Sequence, residues 1–210
     1  TVGLIAQPDW HNAEAFRALG KPRLAFLVTA GNLDSMVNHY AVSGARRDSD
    51  AYTENGIAGR RPDRATIVYA NRCREAYGGV PLVLGGLEAS LRRFAHYDYW
   101  DDRVRHSILY DACADLLVYG MGERAIVAIA EALNAGTPVG EITGIPGTCV
   151  RVSSAERAAG AVLLPSYGEV ATDKAKYCEA FVQQTREQDA VRGKRLLQPH
   201  EKGFLLCNPP

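Results

Sequence analysis

The sequence predicts an α/β protein built on an open, doubly wound, mostly parallel sheet. Three observations predict it. Short apolar runs of strand length alternate with segments of helical periodicity; the runs are continuously apolar; and polar, Gly-rich turns follow several of them. A right-handed helical crossover returns each strand in the direction of the one before it, which makes the pairing parallel. Continuous apolar character is what a strand shows when helices cover both of its faces.

The elements follow in order. Residues 2–6 (VGLIA) read as a first strand. Residues 12–19 place Ala15, Phe16 and Leu19 on one side and read as a short helix closed by Gly20. Residues 24–29 (LAFLVT) are a second buried strand. The polar stretch after them is long for a connection, a length usually associated with function or with partial disorder. Asp63 is placed to cap a helix running to about Tyr77, with Ile67, Val68, Ala70 and Cys73 as its inner stripe and Gly78-Gly79 as its stop. Residues 81–84 form the next strand. A helix is expected over 102–110, a strand over 114–119, and a helix over 124–133 with Ile126, Val127, Ile129, Ala130 and Leu133 facing inward. Beyond these, Thr148–Val152, 161–164 and 204–207 read as strands and 173–191 as a polar-faced helix. The expected organisation is an α/β domain over 1–145 and a connecting segment over 146–210. Thr1 and the terminal CNPP read as cuts in a longer polypeptide.

Composition narrows the function. Lys+Arg and Asp+Glu both number 24, so no global field draws nucleic acid or an anionic membrane. No apolar run approaches the roughly 20 residues of a bilayer span, and no basic-then-apolar leader opens the chain, which leaves a cytoplasmic protein as the expectation. The five cysteines, at 73, 113, 149, 178 and 207, show neither CxxC nor CxxxCxxC spacing and read as free thiols, with no metal site among them.

In doubly wound sheets, ligands bind beyond the carboxyl ends of the strands. The turns expected there are QPDW, TAGNLDSMVNHY, GGLEASLRR and GMGER. They supply the candidate binding residues: Asp34, Ser35, Asn38 and His39; Gly85, Gly86, Glu88 and Ser90; Gly120, Gly122 and Glu123. Gly85-Gly86 would let a ligand or a neighbouring helix come close, or would serve a turn that needs positive φ. Gly120-x-Gly122 opens a helix whose free N–H groups favour an anion, but Glu123 already supplies negative charge there, and the dinucleotide fingerprint is incomplete. His96, beside Asp98, Asp101 and Asp102, fits no standard metal spacing; hydrogen bonding in a polar loop is the commoner role. For Arg46-Arg47, Arg60-Arg61 and Arg92-Arg93, a solvated or structural ion pair outweighs nucleic-acid binding.

The strings AQPDW, GKPRLAFLVTAGNLDSMVNHY, GRRPDRATIVYANRCREAY, VPLVLGGLEASLRRFAHYDYWDD and ADLLVYGMGER resemble the amino-terminal region of the YgiQ family of radical S-adenosylmethionine (SAM) proteins, across most of residues 2–136. The order of GGLEAS and YGMGE is also similar to the Rossmann/flavodoxin-like, cobalamin-binding-like domains that precede other radical SAM barrels. The resemblance implies a sheet lacking one amino-terminal strand, and a partner in the protein's own radical SAM barrel, which would begin after Asn208-Pro209-Pro210. It places in that barrel the CxxxCxxC motif, whose thiolates hold three irons of a 4Fe–4S cluster while the fourth iron chelates SAM. No cysteine of this chain matches that motif. Cobalamin is a further ligand to consider; DxHxxG is absent, so cobalamin without a histidine ligand and no cobalamin at all both stay open. The competing reading is a non-catalytic cobalamin- or nucleotide-binding-like module. A free-standing hydrolase lacks support, since GxSxG is absent.

Overall fold

The structure, a computed structural model, describes residues 1–210. The first half supplies β1 (Phe26–Thr29), α1 (Ser35–His39), α2 (Ala65–Ala76), β2 (Leu82–Gly85), α3 (Gly86–Leu91), the hairpin β3 (His96–Asp98) and β4 (Arg103–Arg105), α4 (Ile108–Asp111), β5 (Leu116–Val118) and α5 (Glu123–Asn134). The second half supplies β6 (Thr148–Val152), β7 (Val162–Leu163), α6 (Tyr167–Thr172), α7 (Lys174–Arg186), β8 (Leu196–His200) and β9 (Gly203–Cys207). Seven strands make one mixed sheet in the order β1-β2-β5-β6-β9-β8-β7, and β3 and β4 pair separately.

The α/β class holds. Pairing is parallel through β1, β2 and β5, and again between β7 and β8. The joins β5–β6, β6–β9 and β9–β8 are antiparallel. Residues 146–210 therefore contribute four strands to the same sheet as residues 26–118. Strand periodicity divides the core. Leu82, Leu84, Leu117 and Leu205 pack on one face with Ala70 and Cys73 of α2, Ala89 of α3 and Leu109 of α4. Val83, Leu116, Val150 and Leu206 point the other way, onto Ala125 and Ile129 of α5. Each fully buried Leu among them is worth about 1.5–3 kcal/mol over exposure. No helix is long and apolar enough to cross a membrane.

Several expected elements differ. Residues 2–6 form no strand, and Val2 and Leu4 are almost fully exposed. An apolar run becomes a strand only when a neighbour accepts its hydrogen bonds, and β1 pairs on one side only, with β2. Residues 12–19 shorten to a 3₁₀ turn, Ala15–Arg17, that buries Phe16. The helix expected over 102–110 is mostly hairpin: Asp102 takes a positive φ, Asp98 accepts from the N–H groups of Trp100 and Asp101, and helix begins only after Ser107, which caps α4. Asp63 does not cap α2. Arg64, in the left-handed region, precedes it without a side-chain cap of its own. The strand β8 carries Pro199, which cannot donate to a ladder, and the polar Gln198, so no apolar run marks it; Gln198 is fully buried, accepts from the Ala95 N–H and donates to the Pro165 carbonyl.

Candidate functional site

Parallel pairing sets the carboxyl ends of β1, β2 and β5 along one rim, so the turns leading to α1, α3 and α5 gather there. The QPDW turn follows no strand and belongs elsewhere: Trp10 donates to the Arg60 carbonyl at 3.1 Å. Three of the four expected turns thus share the rim.

The polar side chains at the rim face one another. Glu88 on α3 accepts from the Ser35 N–H at 2.9 Å and from the Thr66 N–H at 3.0 Å, one oxygen for each helix start. Ser35 returns its hydroxyl oxygen to the Ala65 N–H at 3.0 Å. Asp34 caps α1 through the N–H groups of Met36 and Val37 and pairs with Arg92. Asp34, Ser35 and Glu88 are all buried. These groups do what an anion would do at a helix N-terminus, satisfying N–H groups that have no intrahelical partner. Ser90 bonds back to the Gly86 carbonyl at 2.8 Å.

The glycines serve close approach. Gly86 has φ +81°, and a Cβ there would lie 2.4 Å from Thr29 Oγ1 and 2.7 Å from the Gly31 carbonyl oxygen. The Leu87 N–H bonds that carbonyl at 2.8 Å, locking the β1 turn to the β2 turn. Gly120 turns the chain after β5 with φ +69°; Gly122 packs against Val118, and Glu123 stands exposed in the first turn of α5.

Asn38 and His39 leave the rim for a second network under the loop 40–64. His39 is buried, with Nδ1 2.8 Å from Asp63 and Nε2 3.4 Å from Asp50, at an angle that leaves Nε2 without a hydrogen bond. Asp50 is held by both arms of Arg61 at 2.7 and 2.9 Å and by Asn38 at 2.9 Å. Burial opposes ionisation of Asp50, but these bonds and the Tyr52 N–H outweigh it and hold the carboxyl below its usual range. Asp63, which accepts from the Tyr40 hydroxyl at 2.5 Å and from His39, is depressed in the same way against the opposing effect of burial. A third network joins Arg64 to Asp98 and Asp101, both at 2.9 Å, and Arg105 to Asp101 and Asp111. His96 is half-buried in β3; burial lowers its pKa, and Nδ1 faces the Phe94 carbonyl. Sequence reading missed Asp50 and Asp63 as the anchors of His39; no local spacing marks them, since they sit 11 and 24 residues away.

The structure tests the cofactors that the resemblance implies. Cys73 is buried in α2, Cys113 and Cys178 are exposed and apart, and Cys149 faces Cys207 across β6 and β9. No three cysteine, histidine or acidic side chains converge as metal ligands, so the residues present do not fit an iron–sulfur cluster. Two small clefts, one beside Arg93, Tyr119 and Cys207 and one beside Ala95, Val170 and Tyr177, hold about 10 and 20 Å³, room for a water molecule. Beside the exposed Glu123, the rim turns apolar side chains outward: Val37 of α1, Leu87 and Leu91 of α3, and Met121 before α5 are all substantially exposed.

A family model described as "Radical SAM N-terminal" matches residues 1–210. A UPF0313 protein of Clostridium perfringens (strain ATCC 13124) is 55% identical over all of this chain and 32% of its own length. One of Clostridium botulinum (strain ATCC 19397) is 50% identical over all of this chain and 33% of its own. The chain spans about a third of the length of the curated relatives it matches. Among solved structures, the radical S-adenosylmethionine methyltransferase TsrM from Kitasatospora setae, with tryptophan substrate and a SAM analogue bound, is similar at 20% identity and a TM-score of 0.41. That similarity covers 67% of this chain and 20% of TsrM.

Proposed function

The chain belongs to the radical SAM N-terminal family, and from that premise we propose that it is the amino-terminal, cluster-free domain of a radical SAM enzyme of the YgiQ type. Its sheet rim packs against the polypeptide that houses the chemistry. That polypeptide would carry the 4Fe–4S cluster and bind SAM; reductive cleavage of SAM, which generates a carbon radical, is the chemistry those groups supply. The residues of this chain orient and cover.

The single observation that carries the reading is the make-up of the rim. Its buried polar groups Asp34, Ser35 and Glu88 are spent on helix N–H groups and on Arg92, while Val37, Leu87, Leu91 and Met121 face outward. Exposed apolar side chains above a closed polar layer suit burial against protein and not capture of a small anion. The curated relatives are about three times as long, and the remainder of such a polypeptide is the occupant proposed.

Iron and sulfide analysis of anaerobically purified protein tests the assignment. A polypeptide of the relatives' full length is expected to carry a 4Fe–4S cluster and to cleave SAM on reduction; the 210-residue chain is expected to carry none. A stoichiometric cluster on the 210-residue chain would overturn it. Met121→Asp and Leu87→Asp in the full-length protein are expected to leave iron content unchanged and to raise amide exchange over residues 86–91 and 119–123. Unchanged exchange would count against the rim as the docking face.

A further inference from the structure

Cys149 and Cys207 stand directly opposite each other on neighbouring antiparallel strands. The Asn208 N–H bonds the Thr148 carbonyl at 2.8 Å, one step along the ladder, so 149–207 is a non-hydrogen-bonded pair, the kind whose side chains lie closest. The two sulfurs are 2.9 Å apart, with the Cys149 thiol donating to Cys207. Such pairs have Cα separations within the range a disulfide spans, so closing the bond needs little backbone movement. Both residues are buried, yet Cys207 lines a small cleft with Arg93, Tyr119, Lys194 and Pro209. The Arg93 guanidinium lies over the Tyr119 ring, 4.8 Å from its centre, and its Nε is buried without a partner.

We propose that Cys149 and Cys207 form a peroxide-reactive dithiol in which Cys207 attacks and Cys149 resolves. The Cys207 thiolate attacks one oxygen of a hydroperoxide; the O–O bond breaks, Cys207 becomes a sulfenic acid, and hydroxide (or alkoxide) leaves. The Cys149 thiol sulfur then attacks the Cys207 sulfur; the S–O bond breaks, the sulfenic hydroxyl leaves as water with the Cys149 thiol proton, and the S–S bond forms. Two thiols are oxidised by two electrons and one peroxide is reduced. The cleft beside Cys207 admits only a molecule of about water's size, which selects hydrogen peroxide over bulky hydroperoxides. The division of labour agrees with the electrostatics: burial would raise Cys207, but the hydrogen bond from Cys149 and the charge of Arg93 bring it below the usual thiol range, whereas burial holds Cys149 well above it. Cys73 has no such partner, and burial pushes its thiol up to about 12. The bond would staple β6 to β9 immediately before Asn208-Pro209-Pro210.

The test treats fully reduced protein with a few equivalents of hydrogen peroxide, alkylates it in denaturant, and maps peptides without reduction. The expected product is a linked peptide joining Cys149 and Cys207, formed roughly tenfold faster than Cys73 is oxidised. With dimedone added together with the denaturant after peroxide treatment, so that it reaches the buried site, Cys207 is expected to be labelled in Cys149→Ser; in Cys207→Ser, Cys149 is expected to stay unlabelled. Recovery of both cysteines as free thiols after the exposed Cys113 and Cys178 are oxidised would overturn the proposal. So would dimedone on Cys149 in Cys207→Ser with none on Cys207 in Cys149→Ser. Should either variant fail to fold, the unsubstituted protein decides by the presence or absence of the linked peptide.

Discussion

The two oxygens of Glu88 accept from the first turns of two different helices, so this buried acidic side chain is a joint between α1, α2 and α3. Removing it strands two buried N–H groups, each costing about 1–3 kcal/mol. Glu88→Ala is expected to lower stability by roughly 2–6 kcal/mol, read as a shift in the urea midpoint with little change in slope. A second residue-scale consequence comes from His200, which stacks on Tyr110 and meets His106 Nδ1 at 3.1 Å. Burial, with the nearby His106, lowers its pKa from 6.5 to about 4. The folded state resists protonation that the unfolded chain accepts. Stability is therefore full above pH 6.5, falls between 6.5 and about 4, and flattens below; the span corresponds to about 3 kcal/mol. Asp50, Asp63 and Asp98, whose folded pKa values lie below 3.8, add a separate loss only as the pH drops below that value. His96, whose pKa burial also lowers, contributes to the same upper stage, so denaturant titration across pH should show the two stages and His200→Gln should shrink the upper one without abolishing it.

At the scale of elements, the rim depends on backbone contact between the turns after β1 and β2. Gly86→Ala imposes a Cβ where φ is +81° and where Thr29 and Gly31 already stand. The expected loss is about 2–4 kcal/mol, measured as a fall in thermal midpoint, whereas Gly79→Ala, with open space around it, is expected to change little. The same scale explains which readings held. Residues 81–84 and 114–119 announced β2 and β5 because each is apolar on both faces and buried on both sides, whereas residues 24–29 announced β1 by an apolar run of which Phe26 and Val28 face the core and Leu27 stays exposed. The helix expected over 102–110 failed because Asp98 gathers two N–H groups into a turn and Arg64 pins the hairpin through the same side chain. Asp34 and Ser35, expected on one turn, and Glu88, expected on another, meet through hydrogen bonds at the rim. Their orientation could not be read, since a carboxyl group facing solvent and one capping a distant helix leave the same local pattern.

For the molecule as a whole, β5 is an interior strand of the sheet, with β2 on one side and β6 on the other. A chain ending at residue 145 would leave fully buried Leu116 and Leu117 on an open edge and expose the face that Leu205 and Leu206 cover. Such a truncation is expected to aggregate or to lose its near-ultraviolet circular dichroism, while the 210-residue chain unfolds in one transition; a soluble, cooperatively folding 1–145 fragment would contradict this.

Composition and periodicity were enough to establish an α/β protein, to place its central strands within a residue or two, and to identify which turns follow them. These are properties of one segment at a time, because whether a stretch is apolar on one face or two is written in its own residues. Pairing direction in the carboxy-terminal half, the mutual satisfaction of the rim, and the meeting of two cysteines are relations between segments. Glu88 and Ser35 are 53 residues apart, and Cys149 and Cys207 are 58 apart. Hydrogen-bond partners at such separations are chosen when the sheet closes and each buried polar atom must find whichever neighbour the packing brings to it.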